Sequence, residues 1–395
     1  MRDLKNIFLY ERLLDDVDNE LVRQAAADGR KCVGNICFQT PEVLMDLPGT
    51  FTVRLRAPRS GSFDMATYYM TSFLCEFSRA ILERAIEGGF ECLDCLLVPD
   101  GCTMINRCVE NMELLNTMPK DGFFYQYLEV PMKADDNGLN LYISECRKKI
   151  LNALHDNFGI DVSDDALRKA VENYNKVCRV INEIGDFRKL DNPPITGYEF
   201  HLITMASHVC PKDLLLPYLE ETLEDLKTRE PDAKPPYRAR VAVVGSEIDD
   251  IDMIKLIEES GALVVADRFC YGSLPGRKEI ELNDEEDVLT QICRHYMTSS
   301  QCPRQMNFEK VQSRKEYVAK IAKEYKADGI IYEQMKFCDP WAYERVTGSY
   351  DLRERFDYPV LTIDRPYVVG ISGQLRTRVQ AFVESVEIKK IQGGK

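Results

Sequence analysis

The 395-residue chain is short of histidine, of excess basic charge and of long apolar runs, and each shortage removes a class of function. No segment approaches the ~18 uninterrupted apolar residues of a membrane helix, so no membrane span is expected. The opening residues, Met1-Arg2-Asp3-Leu4-Lys5, lack the apolar core and cleavage site of a secretory signal, and the expected location is cytoplasmic. A formal charge of −14, from 65 acidic against 51 basic side chains, argues against a nucleic-acid partner, whose phosphates ask for clustered Lys and Arg. There is no Gly-x4-Gly-Lys-Ser/Thr loop, and Val244-Gly245-Ser246 lacks the glycines of a dinucleotide fingerprint. That tripeptide reads as a strand-to-helix turn, so any ATP used by the system is expected to bind another polypeptide.

The four histidines are thinly spread. His201 and His208 stand seven apart, about two helical turns or ~10 Å, too far to share one ion. His155 and His295 have no carboxylate-rich neighbourhood. All four are expected at surface or capping positions. No Gly-x-Ser-x-Gly elbow is present, which argues against a serine hydrolase.

Cysteine, by contrast, is plentiful, with fourteen residues. A cytosolic chain keeps its thiols reduced, so disulfides are not the expected explanation, and buried inert cysteine accounts for only part of the set. Cys92-Leu93-Asp94-Cys95 has no second pair at zinc-ribbon spacing. On a strand, residues three apart also point to opposite faces. Cys75 and Cys102 each end an apolar segment, and Cys338 lies in Phe337-Cys338-Asp339-Pro340 after the strand-like run Gly329-Ile330-Ile331-Tyr332. Three thiols from separate elements can hold one iron–sulfur cube and leave its fourth iron without a protein ligand, since such cubes normally take four thiolates. On spacing alone, buried inert cysteine stays open as the alternative.

The apolar pattern predicts an α/β protein in four parts. Residues 1–28 form an N-terminal helical segment, 29–139 a first α/β domain, 140–236 a helical segment with a proline-rich linker, and 237–395 a second α/β domain. Strands are predicted at 51–55, 95–98, 123–128, 240–245, 262–266, 330–332 and 360–363. Helices are predicted at 252–260 and 284–297, with others within 65–88. A further helical pattern at 374–386 places Leu375, Val379, Phe382 and Val386 on one side. Ligands of open α/β sheets sit beyond the carboxyl ends of the strands. Cys102 and Cys338 both follow predicted strands and are expected to meet in a cleft between the halves.

At this point the chain resembles the 2-hydroxyacyl-CoA dehydratase / benzoyl-CoA reductase family, in particular its iron–sulfur component subunits of the 2-hydroxyglutaryl-CoA dehydratase D-component type. The resemblance runs in order through Val33-Gly34-Asn35-Ile36-Cys37, Ser72-Phe73-Leu74-Cys75, Leu97-Val98-Pro99-Asp100-Gly101-Cys102 and Ser260-Gly261-Ala262-Leu263. It continues through Lys336-Phe337-Cys338-Asp339-Pro340 and Gly373-Gln374-Leu375-Arg376-Thr377-Arg378-Val379-Gln380-Ala381-Phe382. One departure is Thr103 after Cys102, where relatives commonly have Asp.

The resemblance implies two flavodoxin-like parallel-sheet halves and a [4Fe-4S] cluster on Cys75, Cys102 and Cys338. It also implies a related second subunit and a separate ATP-hydrolysing iron–sulfur activator that supplies one electron. The implied reaction is elimination of water from a 2-hydroxyacyl-CoA thioester through a ketyl radical, with reduction of the benzoyl-CoA type as an alternative. Cys37, Cys270 and Cys302 lie near segments where some relatives carry extra cysteines. Those relatives are homodimers that bind a double-cubane [8Fe-9S] cluster and reduce small molecules. A cluster-free scaffold subunit is the remaining reading. Arg376 and Arg378 are candidates for CoA phosphate contacts, with salt bridging at a helix start as the alternative.

Overall fold

The computed structural model describes residues 1–57, 62–274, 277–368 and 373–393. Two four-stranded sheets form its framework, and every strand pairing among the described residues is parallel. In the first sheet, β1 (Lys31–Asn35) pairs with β2 (Thr50–Arg54) and β3 (Cys95–Pro99), and β3 pairs with β4 (Phe124–Leu128). In the second, β5 (Ala239–Val244) pairs with β6 (Ala262–Arg268) and β7 (Gly329–Met335), and β7 pairs with β8 (Val360–Arg365). The two sheets share one order, second strand, first, third, fourth, so the molecule is a pair of flavodoxin-like α/β halves. Inner strands such as Ala239–Val244 are buried along their whole length, as parallel strands covered on both faces must be. Edge strand β4 is half-buried over four of its five residues, and edge strand β8 over three of its six.

Two helices, Ile7–Leu13 and Glu20–Ala27, precede the first sheet, and a run of helices from Asp136 to Thr228 separates the sheets. Its longest member, Asp164–Asp186, starts on a Ser163 cap and buries Leu167, Val171, Tyr174 and Ile181 along one side. The breaks fall where backbone chemistry puts them. Gly159 ends one helix in the left-handed region at φ 69°, a conformation that costs glycine little. Thr196 and Glu199 form a reciprocal capping box after Pro193-Pro194. The C-terminal helix Gly373–Gly393 buries Leu375, Val379, Phe382 and Val386 against the second sheet.

One strand and three α-helices have no counterpart among the predicted elements: β1, Thr103–Leu114, Phe308–Glu324 and Asp339–Glu354. Strand β1 was hidden by its polar ends and its internal glycine, Lys-Cys-Val-Gly-Asn, yet four of its five residues are buried. Helix Phe308–Glu324 is charge-rich and covers the second sheet with Val318, Ala319, Ile321 and Ala322. The reading of all four histidines as surface or capping groups also needs correction. His201 and His208, on helix Gly197–Val209, are buried at 2% and 5% exposure. His201 donates Nε2–H to the Asp250 carbonyl at 2.9 Å and packs edge-on to Phe269, and His208 packs edge-on to Tyr271. On that all-round apolar helix they serve as core residues.

The halves are bound to each other beyond the carboxyl ends of their strands. Arg54, at the end of β2, donates to Glu247 at 2.8 Å and to the Cys270 carbonyl at 2.6 Å. Arg56 donates to the Asp249 carbonyl at 2.8 Å, and Tyr271 donates its hydroxyl proton to the Leu55 carbonyl at 2.6 Å. The Tyr367 backbone N–H, after β8, reaches Glu76 at 2.6 Å. The strand ends of the two sheets therefore face one cleft, the place where open α/β sheets put their ligands.

Candidate cysteine-lined site

Strand-to-helix turns deliver Cys102 and Cys338, and a turn between helices Asp64–Tyr69 and Glu76–Ile86 delivers Cys75. Cys75 immediately precedes helix Glu76–Ile86, Cys102 precedes Thr103–Leu114, and Cys338 precedes Asp339–Glu354, each in the N-cap position. The other three come from loops: Cys37 just after β1, Cys270 just after β6, and Cys302 in the crossover between helix Val288–Ser299 and helix Phe308–Glu324. All six line a single cavity of about 80 Å³. Its remaining wall is largely apolar, with Ile36, Phe77, Met104, Ile105, Pro340 and Trp341, and its polar side chains include Gln39, Ser246, Glu247 and Arg304.

The electrostatics divide the thiols into two sets. Burial pushes the Cys75 thiol up to about 12, and the neighbouring Cys102 adds to the rise. Cys338 is driven well up by burial and then by Cys75 and Cys102. In the second set, burial pushes Cys37 up to about 12 with Cys302 next in weight, and Cys270 rises through burial, Glu247, Cys302 and Cys37. Cys102, itself raised by burial, also feels Cys302, which links the sets. Thiols crowded this way resist ionisation as bare groups, because each thiolate would sit beside another in a dry wall. A metal reverses that logic by binding the thiolate directly.

Local backbone dipoles already lean toward the thiolate. None of the three N-cap sulfurs makes a full capping hydrogen bond. Even so, the first-turn N–H groups of Phe77 and Ser78 oppose the rise at Cys75, as do those of Met104 and Ile105 at Cys102 and of Trp341 at Cys338. Helix N-termini favour negative charge in this way. Among the described residues no three His, Cys, Asp or Glu side chains gather around one point as ligands of a single ion. A cube differs from an ion, because it offers each thiolate its own iron. Six thiols in two sets of three around one cavity fit a cluster of that kind.

The other sequence candidates fall elsewhere. Cys92 packs beside Cys32 against one face of the first sheet, while Cys95 belongs to the apolar core on the other face, so they do not converge. Cys108 feels Cys75 but does not line the cavity. Arg376 pairs with Glu259 at 2.8 Å and Arg378 donates to the Thr362 carbonyl at 2.6 Å, and neither lines the cavity. Gly245-Ser246 is indeed a turn, but one built into the site. A Cβ on Gly245 would stand 2.2 Å from Glu333 Oε1, and Ser246 bridges Glu333 and the Met335 N–H at 3.0 and 2.7 Å. Sequence reading passed over Gln39, Glu247 and Arg304. Glu247 had a usable signal, since it follows β5 at a carboxyl end.

The chain matches the family described as 2-hydroxyglutaryl-CoA dehydratase, D-component, over residues 37–386. It belongs to that family. Among curated relatives it is similar to the (R)-phenyllactyl-CoA dehydratase beta subunit of Clostridium sporogenes, 23% identical over 377 residues, covering 95% of this chain and 97% of that protein. A benzoyl-CoA reductase subunit of Thauera aromatica is 23% identical over 384 residues, covering 96% and 97%. The beta subunit of (R)-2-hydroxyglutaryl-CoA dehydratase from Acidaminococcus fermentans is 23% identical over 379 residues, covering 91% and 93%. All three are subunits by name, and this family member is accordingly an enzyme component. Its iron–sulfur reading starts from the six thiols at the cleft.

Proposed function

We propose that this family member is an iron–sulfur reductase component whose cluster is held by six thiolates, Cys75, Cys102 and Cys338 on one side and Cys37, Cys270 and Cys302 on the other. One observation carries this reading: the second set lines the same cavity as the first. Buried inert cysteine would scatter among the cores, as Cys95, Cys178 and Cys210 do. A double cubane held by both sets would supply electrons one at a time to a small substrate at the cleft.

The chain's own residues supply the setting. The N-termini of three helices favour the first three thiolates. Ile36, Phe77, Ile105 and Trp341 keep the wall dry, which strengthens every charge interaction inside it. Arg54 ties the Glu247 carboxylate and the Cys270 carbonyl to the first half, fixing the second set against the first. A second copy of the chain and a separate ATP-hydrolysing iron–sulfur activator complete the proposed system, the activator because no phosphate-binding glycine loop occurs here.

A second reading keeps a single [4Fe-4S] cube on Cys75, Cys102 and Cys338 and eliminates water from a 2-hydroxyacyl-CoA. The names of the dehydratase relatives favour it. The second thiol set counts against it: Cys37, Cys270 and Cys302 line the same cavity, and a single cube on Cys75, Cys102 and Cys338 leaves them without a role. Cys270→Ser and Cys302→Ser separate the two. Under the six-thiol reading each variant, purified without oxygen, loses a large share of its iron. Full iron in both variants would leave the single cube.

A further inference from the structure

Three buried polar atoms facing the thiols have no nitrogen or oxygen partner: Gln39 Nε2, Arg304 Nε and Glu247 Oε2. Buried N–H groups are almost always satisfied, so an orphan marks a missing acceptor. Two of the three are donors, Arg304 beside the loop that carries Cys102 and Gln39 beside Cys302. Arg304 follows Cys302 by two residues. Its guanidinium donates across the cleft to the Asp100 carbonyl and, at 3.1 Å, to the Val130 carbonyl. A Cβ added to Gly101, the residue before Cys102, would lie 3.9 Å from Arg304 Nε. That places Nε beside the junction of Cys102 and Cys302, the pair that couples one set to the other. Gln39 is 5% exposed and two residues past Cys37, and its side chain favours the Cys302 thiolate. Gln301 and Gln305 carry orphan amide oxygens nearby, but neither lines the cavity.

We propose that Gln39 and Arg304 are positioning residues that donate their free side-chain N–H groups to cluster sulfur at the seam between the two thiol sets. Sulfur shared between two cubes binds fewer irons than sulfur within a cube and keeps more lone-pair density, so it is the atom most in need of donors. Arg304 Nε and Gln39 Nε2 offer one N–H from each half of the molecule. Hydrogen bonds to sulfur make a cluster easier to reduce, and these two therefore raise the potential of the centre as well as orienting it. The inference rests on the six-thiol reading.

The test uses the full chain, reconstituted with iron and sulfide under nitrogen, and compares the parent with Gln39→Met and Arg304→Lys. Methionine keeps the length of glutamine without a donor. Lysine keeps the charge and a donor for the Asp100 carbonyl while removing Nε. Iron per chain is counted first, and the midpoint potential is then read by titration followed by electron paramagnetic resonance. Both variants are expected to retain the parent's iron and to shift to lower potential. Parent potential in both iron-loaded variants would overturn the proposal while leaving the six-thiol reading standing. A parent that binds only about four irons, one cube, would overturn both.

Discussion

Cys102 and Cys338 hold the same place in the two halves: each caps the helix that follows the third strand of its sheet, β3 in one case and β7 in the other. Because the sheets face each other at their carboxyl ends, this repeat brings two equivalent turns to opposite walls of one cavity. The site is thus a product of the duplicated topology, and the remaining thiols are additions to it.

That equivalence gives the first prediction. Cys102→Ser and Cys338→Ser are expected to lose iron to a similar extent, whereas Cys92→Ser, a half-buried cysteine outside the cavity, is expected to keep it. Iron analysis of the three variants after the same anaerobic reconstitution checks this. Unequal loss, with one N-cap variant fully loaded, contradicts the paired roles.

The buried Glu333–Arg365 pair supports the floor of the cleft. Both side chains are fully buried and 2.8 Å apart, and Glu333 also receives Ser246. Breaking such a pair from one side leaves a buried charge without a counterion and costs about 3–5 kcal/mol. Glu333→Ala is expected to lose stability on that scale in urea unfolding, and a loss under about 1 kcal/mol would show that the pair is not structural.

Gly245→Ala tests how tightly the turn is built. The new methyl would meet Glu333 Oε1 at 2.2 Å and the Glu333 carbonyl oxygen at 2.4 Å, and the latter is backbone that cannot swing away. Overpacking of this kind costs about 1–3 kcal/mol. The variant should show that loss in urea unfolding and a diminished iron content, because Ser246-Glu247 must shift with the turn. A variant with parental stability would mean that the turn has room to move.

The two core histidines set one part of the pH dependence of stability. Burial holds His201 down to about 4 and His208 well below the ordinary value of 6.5. In the unfolded chain both titrate near ~6.5, so between about 6.5 and 4 the unfolded state binds more protons at these two sites than the folded one. Their contribution is therefore full above about pH 6.5 and is lost as pH drops toward 4, while Glu247 and Glu258, raised to about 7 by burial, and Asp250, raised to about 6, act in the opposite direction. Chemical unfolding of the apoprotein at a series of pH values should show the parent losing more stability, or gaining less, than His201→Gln between pH 6.5 and 4. An unchanged slope in that variant would assign the pH dependence to other groups.

Much of this was legible in the sequence, for physical reasons. Strands β5 and β7 are buried along their whole length and carry the apolar stretches Val241-Ala242-Val243-Val244 and Ile330-Ile331-Tyr332, and the cysteines that follow strands fall at the carboxyl edge where ligands bind. The convergence of Cys37, Cys270 and Cys302 with the others was not legible from spacing. It depends on loops and on how two sheets meet, which local pattern does not encode. Gln39 and Arg304 were invisible for a different reason: a lone amide or guanidinium carries no signature until burial leaves its N–H without an acceptor. The two histidines were misplaced because a polar residue on an all-buried helix looks, in one dimension, like a residue on its wet side.

The most direct test of the account is the iron and acid-labile sulfide content of the parent chain after anaerobic reconstitution. Two cubes joined through sulfur predict about eight irons per chain, twice what one four-iron cube requires. About four irons, retained when Cys37, Cys270 and Cys302 are all changed to serine, would contradict it.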